Sequence, residues 1–173
     1  WHALTTAYDE PGTITDNVVW AADSIQYVKG GLTIGSGGTL TIQAGAIVKF
    51  DTSETLTISA GGTLIVNGTY AKPVILTSAR DDAHGGDTNG DGNTSAPAAD
   101  DWNGLLFDGG TGTLTHARIQ YAGAGGCGFT ETAFAALVFR NATATFNDCL
   151  LADANFNGFW VLGPSTVTLN NCI

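Results

Sequence analysis

Short runs of alternating apolar and polar residues recur along this chain, and most of them end at Gly, Asn or Asp. The runs Leu32–Ile34 and Thr39–Gln43 show the alternation clearly. A period of two sends successive side chains to opposite faces, which is typical of half-buried β-strands. The spacing of an amphipathic helix is nearly absent. The pattern therefore predicts an all-β protein.

One of these runs is repeated 24 residues later. Residues 32–42 (LTIGSGGTLTI) match residues 56–66 (LTISAGGTLIV), and looser copies begin at Leu105, Leu137 and Phe159. Each copy holds about three short strands separated by turns. A coil of this kind is what a parallel β-solenoid needs, with a rise of about 4.8 Å per turn. A two-sheet sandwich, the alternative, gives no reason for a repeat, so we predict a parallel β-helix with about five three-strand rungs.

The repeat also predicts how the domain is organised. Residues 1–173 form one domain, in which residues 31–173 supply the rungs. Two strands within residues 13–20 and 24–28 are expected to cap the first rung, so that residues 1–30 form an N-terminal cap. Insertions at 79–101 and 122–133 interrupt the same corner of neighbouring rungs. Such insertions lie side by side on one face, which is often the binding face.

Alternation assigns the side chains to faces. The inward columns are predicted to be apolar throughout, as in Leu56, Leu64 and Val74 of one rung. Some outward positions are also apolar, and a contiguous apolar strip on a surface normally has a cover. That cover is either the two inserted segments or a partner, which would be a second copy or a neighbouring domain. The candidate interface residues are Leu106, Val138, Trp160, Ile47, Ile75 and Leu150.

The chain resembles a known class of domain. The similarity lies in residues 12–20, 31–34, 38–50, 64–69, 73–78 and 86–104, and residues 78–104 are its most specific part. These segments are similar to right-handed parallel β-helix domains of large secreted and cell-surface proteins of bacteria. The resemblance implies an extracellular β-helix with a calcium-type loop that acts as surface architecture. It brings no catalytic mechanism.

The sequence DTNGDGN at residues 87–93 is the first half of a calcium loop. Oxygen donors occupy alternate positions, and Gly92 stands at the sixth position, where the sharp turn occurs. Ala98 stands where a bidentate Glu usually closes the shell, so other carboxylates must do so. A solvated acidic loop is the alternative. We predict Ca²⁺ as cofactor, with the ligands Asp82, Asp87, Asn89, Asp91, Asn93 and Asp101.

Charge excludes some partners. The formal net charge is −10, with 6 Lys and Arg against 16 Asp and Glu. Because a binding surface for phosphate needs clustered cations, nucleic acid is not expected as a partner. No apolar run approaches the roughly 20 residues of a membrane helix, so insertion into a membrane is not expected. The absence of Met, including at residue 1, leads us to expect a piece of a longer protein.

The main functional prediction is a secreted structural or adhesive module that self-assembles into a filament or surface layer. The alternative is a module that binds or degrades glycans, with Trp102, Tyr121 and Phe129 as stacking residues. Catalysis is not expected, because His2, His84 and His116 are scattered and the paired carboxylates suit a metal better. A third hypothesis is ice binding through outward Thr-x-Thr pairs on the second strand of each rung. The outward positions are Thr39/Thr41, Thr63/Ile65, Thr113/Thr115, Thr143/Thr145 and Thr166/Thr168, and Ile65 interrupts the array.

The three cysteines do not form a dense disulfide framework. Cys149 and Cys172 occupy equivalent inward positions on successive rungs, and two free buried thiols are favoured over a disulfide. Cys127 lies in the Gly-rich insertion and is the candidate for an intermolecular bond.

Overall fold

A computed structural model describes residues 4–8, 12–123, 135–155 and 157–173, with the backbone alone for 4–8. These ranges form eighteen strands, numbered in chain order, which stack into three sheets of six strands each. The first sheet contains β2 (Gly12–Ile14), β5 (Leu32–Ile34), β8 (Thr55–Ser59), β11 (Gly104–Asp108), β14 (Ala135–Arg140) and β17 (Asn157–Leu162). The second contains β3 (Asn17–Trp20), β6 (Thr39–Gln43), β9 (Thr63–Asn67), β12 (Thr111–Thr115), β15 (Thr143–Asn147) and β18 (Thr166–Asn170). The third contains β1 (Leu4–Tyr8), β4 (Ile25–Val28), β7 (Ile47–Phe50), β10 (Val74–Ser78), β13 (Ala117–Gln120) and β16 (Leu150–Ala152).

The chain winds through the three sheets in order, one strand per sheet and turn. Every pairing between these strands is parallel and joins a strand to its counterpart on the next turn, as in Leu32 with Leu56 and Ile42 with Val66. This is the predicted right-handed parallel β-helix. No helix in the described ranges has the length and apolar character needed to span a bilayer.

The N-terminal strands continue the helix, contrary to the predicted cap at residues 1–30. Ile14 pairs with Ile34, Trp20 with Ile42 and Val28 with Phe50, so β2, β3 and β4 form a complete turn. β1 pairs with β4 as the third-sheet strand of a preceding turn. The described residues thus hold five complete triplets, which begin one turn earlier than expected. The last predicted rung keeps β17 and β18, and Cys172 follows β18 outside a strand.

The predicted inward columns form the core. Leu56, Leu64 and Val74, from the three sheets of one turn, are fully buried. Aromatic rings stack along the axis, with 5.1 Å between the ring centroids of Phe107 and Phe139, and the edge of Phe146 meets both. The inward residues Phe159, Val161 and Leu169 of the last turn are exposed.

Cys149 and Cys172 are free thiols, as the sequence favoured. Cys149 is buried, and burial raises the pKa of its thiol to about 11. Such a thiol acts as a small apolar side chain and not as a nucleophile. Cys127 lies outside the described residues.

Three of the six candidate interface residues are buried instead of exposed. Leu106, Val138 and Ile75 expose 7%, 0% and 6% of their surface. Leu106 and Val138 pair across β11 and β14, and Trp160 and Leu162 pack against them. Ile47, Trp160 and Leu150 are half-buried. The strip therefore offers much less apolar area to a partner than alternation alone predicted.

Candidate metal centre

The inserted segment 79–101 covers the outer face of the third sheet. It leaves β10, where the Ala79 amide donates to the Phe50 carbonyl at 2.8 Å. A Cβ placed on Gly85 would lie 3.1 Å from Cδ1 of Ile25 and 3.5 Å from Cδ1 of Ile47. The segment therefore packs directly on outward apolar residues. This is the first of the two covers that the sequence allowed.

Polar contacts fasten the start of this segment to the sheet. The Thr77 hydroxyl donates to Oδ2 of Asp81 at 2.7 Å, and Nδ1 of His84 lies 2.7 Å from the same oxygen. Asp81 exposes only 2% of its surface. Its charge is thus held by hydrogen-bonding partners within the segment and on β10.

A buried lysine lies beneath the segment. Lys49 points outward from β7, paired with Tyr27 on one side and Thr77 on the other, yet it has no exposed surface. Its Nζ donates to the Gly86 carbonyl at 2.5 Å. Burial lowers the pKa of Lys49, while the charges of Asp82, Asp81 and Asp87 oppose that shift.

Three carboxylates converge above this lysine. Asp82, Asp87 and Asp91 each place a carboxylate oxygen within 4.8 Å of the other two. The backbone shapes the loop around Asp87, whose Oδ1 accepts from the Gly90 amide at 2.7 Å and whose Oδ2 accepts from the Gly92 amide at 2.9 Å. Gly90 and Gly92 both have positive φ, which other residues rarely adopt.

Oxygen atoms that accept no hydrogen bond mark the same place. Oδ1 of Asp82, Oδ1 of Asn89 and Oδ1 of Asp91 each expose less than 1 Å² and have no hydrogen-bond partner among the residues that the structure describes. Such buried acceptors are costly unless something binds them. Carboxylate and amide oxygens are also the ligands that Ca²⁺ prefers, so the donor set fits this ion.

Asp91 is held as a carboxylate. The Ser95 hydroxyl donates to its Oδ2, which lowers the pKa of Asp91, and the Asn89 amide group adds a second donor at 3.0 Å. Its Oδ1 stays without a partner. One oxygen of this carboxylate is therefore fixed by the protein, and the other is available to a cation.

Two predicted ligands, Asp101 and Asn93, lie in different surroundings. Asp101 accepts from the Ser78 hydroxyl at 2.6 Å, from Nη1 of Arg80 at 2.7 Å and from the Ala98 amide at 3.0 Å. Both oxygens of Asp101 are thus engaged at the base of the segment. Asp101 is not among the three converging carboxylates, and its role as a metal ligand stays a prediction. Asn93 is exposed on the loop.

Lys49 was not identified from the sequence as a residue of this site, although alternation placed it outward between the inward residues Val48 and Phe50.

Of the predicted glycan-stacking residues, Trp102 is closed to a sugar. Trp102 has no exposed surface, because its ring stacks on Phe50 with 4.1 Å between centroids and its Nε1 donates to the Gln120 carbonyl. Tyr121 is half-buried, and burial raises its pKa, with the charges of Asp81, Asp153 and Asp101 adding to the shift. Phe129 lies outside the described residues.

A groove of about 460 Å³ opens elsewhere, between the second and third sheets. It is lined in part by Tyr70, His116, Arg118, Asp148 and Asn171. Tyr70 is 91% exposed. The Asn171 amide group donates to Oδ1 of Asp148 at 2.6 Å, and Nε2 of His116 lies 4.0 Å from its Oδ2. Arg118 is exposed and makes no ion pair among the described residues.

The outward threonines of the second sheet form a ladder with a corrected register. Its first column is Thr39, Thr63, Thr111, Thr143 and Thr166, paired directly on five turns. Thr113 belongs to the second column, opposite Ile65, and Thr115 pairs with Asn67. The predicted pair Thr113/Thr115 is therefore shifted by two residues. Ice binding through this face stays a prediction.

Comparison with models of protein families gave a match. The model of the pectate-lyase-like beta helix domain family matches residues 12–139, which is most of the chain and includes the acidic loop. No curated protein and no solved structure matches.

Proposed function

The chain belongs to the pectate-lyase-like β-helix domain family, and we propose that it is a calcium-stabilised structural module of a secreted or cell-surface protein. The observation that carries the proposal is the group of three shielded oxygens without partners, on Asp82, Asn89 and Asp91. They lie where three carboxylates already converge. A rigid β-helix fits a role as a spacer that joins neighbouring domains or copies of itself.

In this proposal Asp82, Asp87, Asn89 and Asp91 hold the ion. Calcium would neutralise the clustered carboxylates and bind their free oxygens, so that binding energy becomes folding energy. The protein itself orients the carboxylates that would bind the ion. The Gly90 and Gly92 amides fix the Asp87 carboxylate, and the Ser95 hydroxyl fixes that of Asp91.

The proposed location follows from the type of site. A loop that lacks the bidentate Glu and carries part of its shell near the surface resembles the weaker calcium sites of extracellular modules, with dissociation constants of about 10⁻⁴–10⁻³ M. Such a site is filled where calcium is abundant. Self-assembly or attachment to neighbouring domains remains part of the proposal.

Calorimetric titration with Ca²⁺ tests the site directly. We expect one binding event for the wild-type chain and at least about a tenfold loss of affinity in Asp91→Asn and in Asp82→Asn, because each removes one charged ligand. Asp16→Asn is the matched control, since Asp16 is exposed and lies far along the chain from the loop. A wild-type chain that takes up no calcium would contradict the proposal.

A second candidate function is glycan binding in the groove. The groove combines the exposed ring of Tyr70 with Arg118, His116 and Asn171, and aromatic faces beside polar side chains suit sugars. Affinity electrophoresis through gels of acidic and neutral polysaccharides tests it. We expect retardation that Tyr70→Ala and Arg118→Gln abolish and Lys29→Gln preserves.

The same polysaccharides, incubated with the protein in solution, test for catalysis. The prediction that the chain is not an enzyme requires that the polysaccharides keep their length, as measured by new reducing ends. Unretarded migration in every gel would exclude the glycan candidate and leave the calcium proposal intact.

A further inference from the structure

Lys49 is the one cation with no exposed surface among the six Lys and Arg residues, all of which lie in the described ranges. It emerges from the sheet beneath the acidic segment, and its Nζ reaches the carbonyl of Gly86, the residue before Asp87. Burying a lysine is unfavourable unless nearby charges or hydrogen bonds compensate. Packing within the core does not explain the burial of Lys49, because its side chain points away from the core.

Two of the three compensating charges belong to the proposed ion site. Lys49 interacts electrostatically with Asp82, Asp81 and Asp87. It forms no direct ion pair within the described part of the chain, however, so its charge acts on the loop as a whole. Asp81 is already held by Thr77 and His84. Asp81 is therefore not one of the carboxylates proposed to bind calcium, although its charge also acts on Lys49.

The charge of Lys49 acts on any cation that enters this site. Asp82, Asp87 and Asp91 contribute three negative charges, Lys49 contributes one positive charge, and the nearby Asp81 adds one more negative charge. The repulsion between the ammonium and a bound cation scales with the charge of that cation, so it is larger for a trivalent than for a divalent cation. This repulsion is screened least where solvent is excluded, as it is around Lys49.

We propose that Lys49 is a specificity-determining residue that makes the loop selective for divalent over trivalent cations. This inference rests on the proposed calcium site. The ammonium acts as a fixed internal counter-ion that lowers the affinity for any added cation, and the penalty grows with the charge of that cation.

A purely mechanical role gives a different expectation. If Lys49 served only to hold the loop at Gly86, removing it would weaken the binding of all cations to a similar extent. If its charge sets selectivity, removing it strengthens the binding of trivalent cations more than that of divalent cations. The ratio of the two affinities separates these roles.

The test compares the affinities of the full chain for Ca²⁺ and Tb³⁺ at neutral pH in the wild type and Lys49→Met. Because Coulomb energy scales with ionic charge, a gain of about tenfold for Ca²⁺ implies about thirtyfold for Tb³⁺, so the Tb³⁺/Ca²⁺ affinity ratio rises about threefold. Lys49→Arg keeps the charge and should keep the wild-type ratio. Lys72→Met, which removes an exposed cation paired with Asp23, is the matched control and should also keep it.

Folding of each variant is checked by thermal melting, and Lys49→Gln replaces Lys49→Met if the latter does not fold. An affinity ratio equal to that of the wild type in the uncharged variants overturns the inference and leaves the calcium site standing. A wild-type chain that binds neither ion overturns the proposed function and the inference together.

Discussion

At the scale of single residues, Gly112 shows how tightly the interior of the helix is packed. It lies at an inward position of β12, between Leu64 and Ala144 on the neighbouring turns. A Cβ at this position would lie 2.5 Å from Cε1 and 2.9 Å from Cζ of Phe107. The Phe107 ring cannot retreat freely, because it stacks on Phe139. The missing side chain therefore makes room for the aromatic stack.

We expect Gly112→Ala to lower the free energy of unfolding by about 1–3 kcal/mol, the usual cost of overpacking a core. Reduced freedom of the unfolded chain would return only about 0.4–1 kcal/mol, so destabilisation should win. Urea unfolding measures the difference. Thr113→Ala, an exposed outward change on the same strand, is the control. Equal stability of Gly112→Ala and the wild type would show that the core relaxes around the added methyl group.

Individual site residues could be predicted only in part. Asp87, Asn89 and Asp91 lie close together in sequence, so their spacing revealed the loop. Asp101 and Trp102 are neighbours in the chain but were assigned to a metal and to sugar binding. The structure holds Asp101 through Ser78 and Arg80, and Trp102 through Phe50. Those contacts depend on the path of a long insertion, which a local pattern does not contain.

At the scale of strands, alternation predicted faces better than it predicted register. Thr111, Thr113 and Thr115 all point outward, and a shift of two residues keeps each of them on the same face. The register of β12 is set at the preceding turn, where Gly110 lies against Ile58 and allows β12 to begin at Thr111. The same ambiguity explains why the strands of the first turn were predicted to form a cap. Strands that cap a helix and strands that continue it show the same alternation.

At the scale of the whole molecule, the outer face of the third sheet depends on the segment 79–101. Gly85 lies against Ile25 and Ile47, and the loop holds Lys49 in a fully buried position. The sequence placed the insertion at a corner of the helix. It did not specify which sheet the insertion would cover, since that direction follows from contacts formed only after folding.

Calcium removal should therefore loosen one face of the helix before it unfolds the rest. Without the ion, Asp82, Asp87 and Asp91 repel one another, while the stacked core, which includes the fully buried Leu56 and Leu64, lies inside the helix. At a calcium concentration of 100 times the dissociation constant, binding contributes about 2.7 kcal/mol. For a domain of this size that corresponds to a fall in melting temperature of roughly 5–10 °C on chelation.

Differential scanning calorimetry with and without EDTA measures the fall, and hydrogen exchange locates it. We expect faster amide exchange within residues 79–101 and over β7, while exchange in the second sheet changes little, because that sheet lies away from the loop. At the same calcium concentration Asp91→Asn should show at most about half of the wild-type fall on chelation, because its affinity is at least about tenfold weaker, and this difference separates the ion from other effects of the chelator. An unchanged melting temperature and unchanged exchange in the wild type would mean that hydrogen bonds and Lys49 alone hold the loop on the helix.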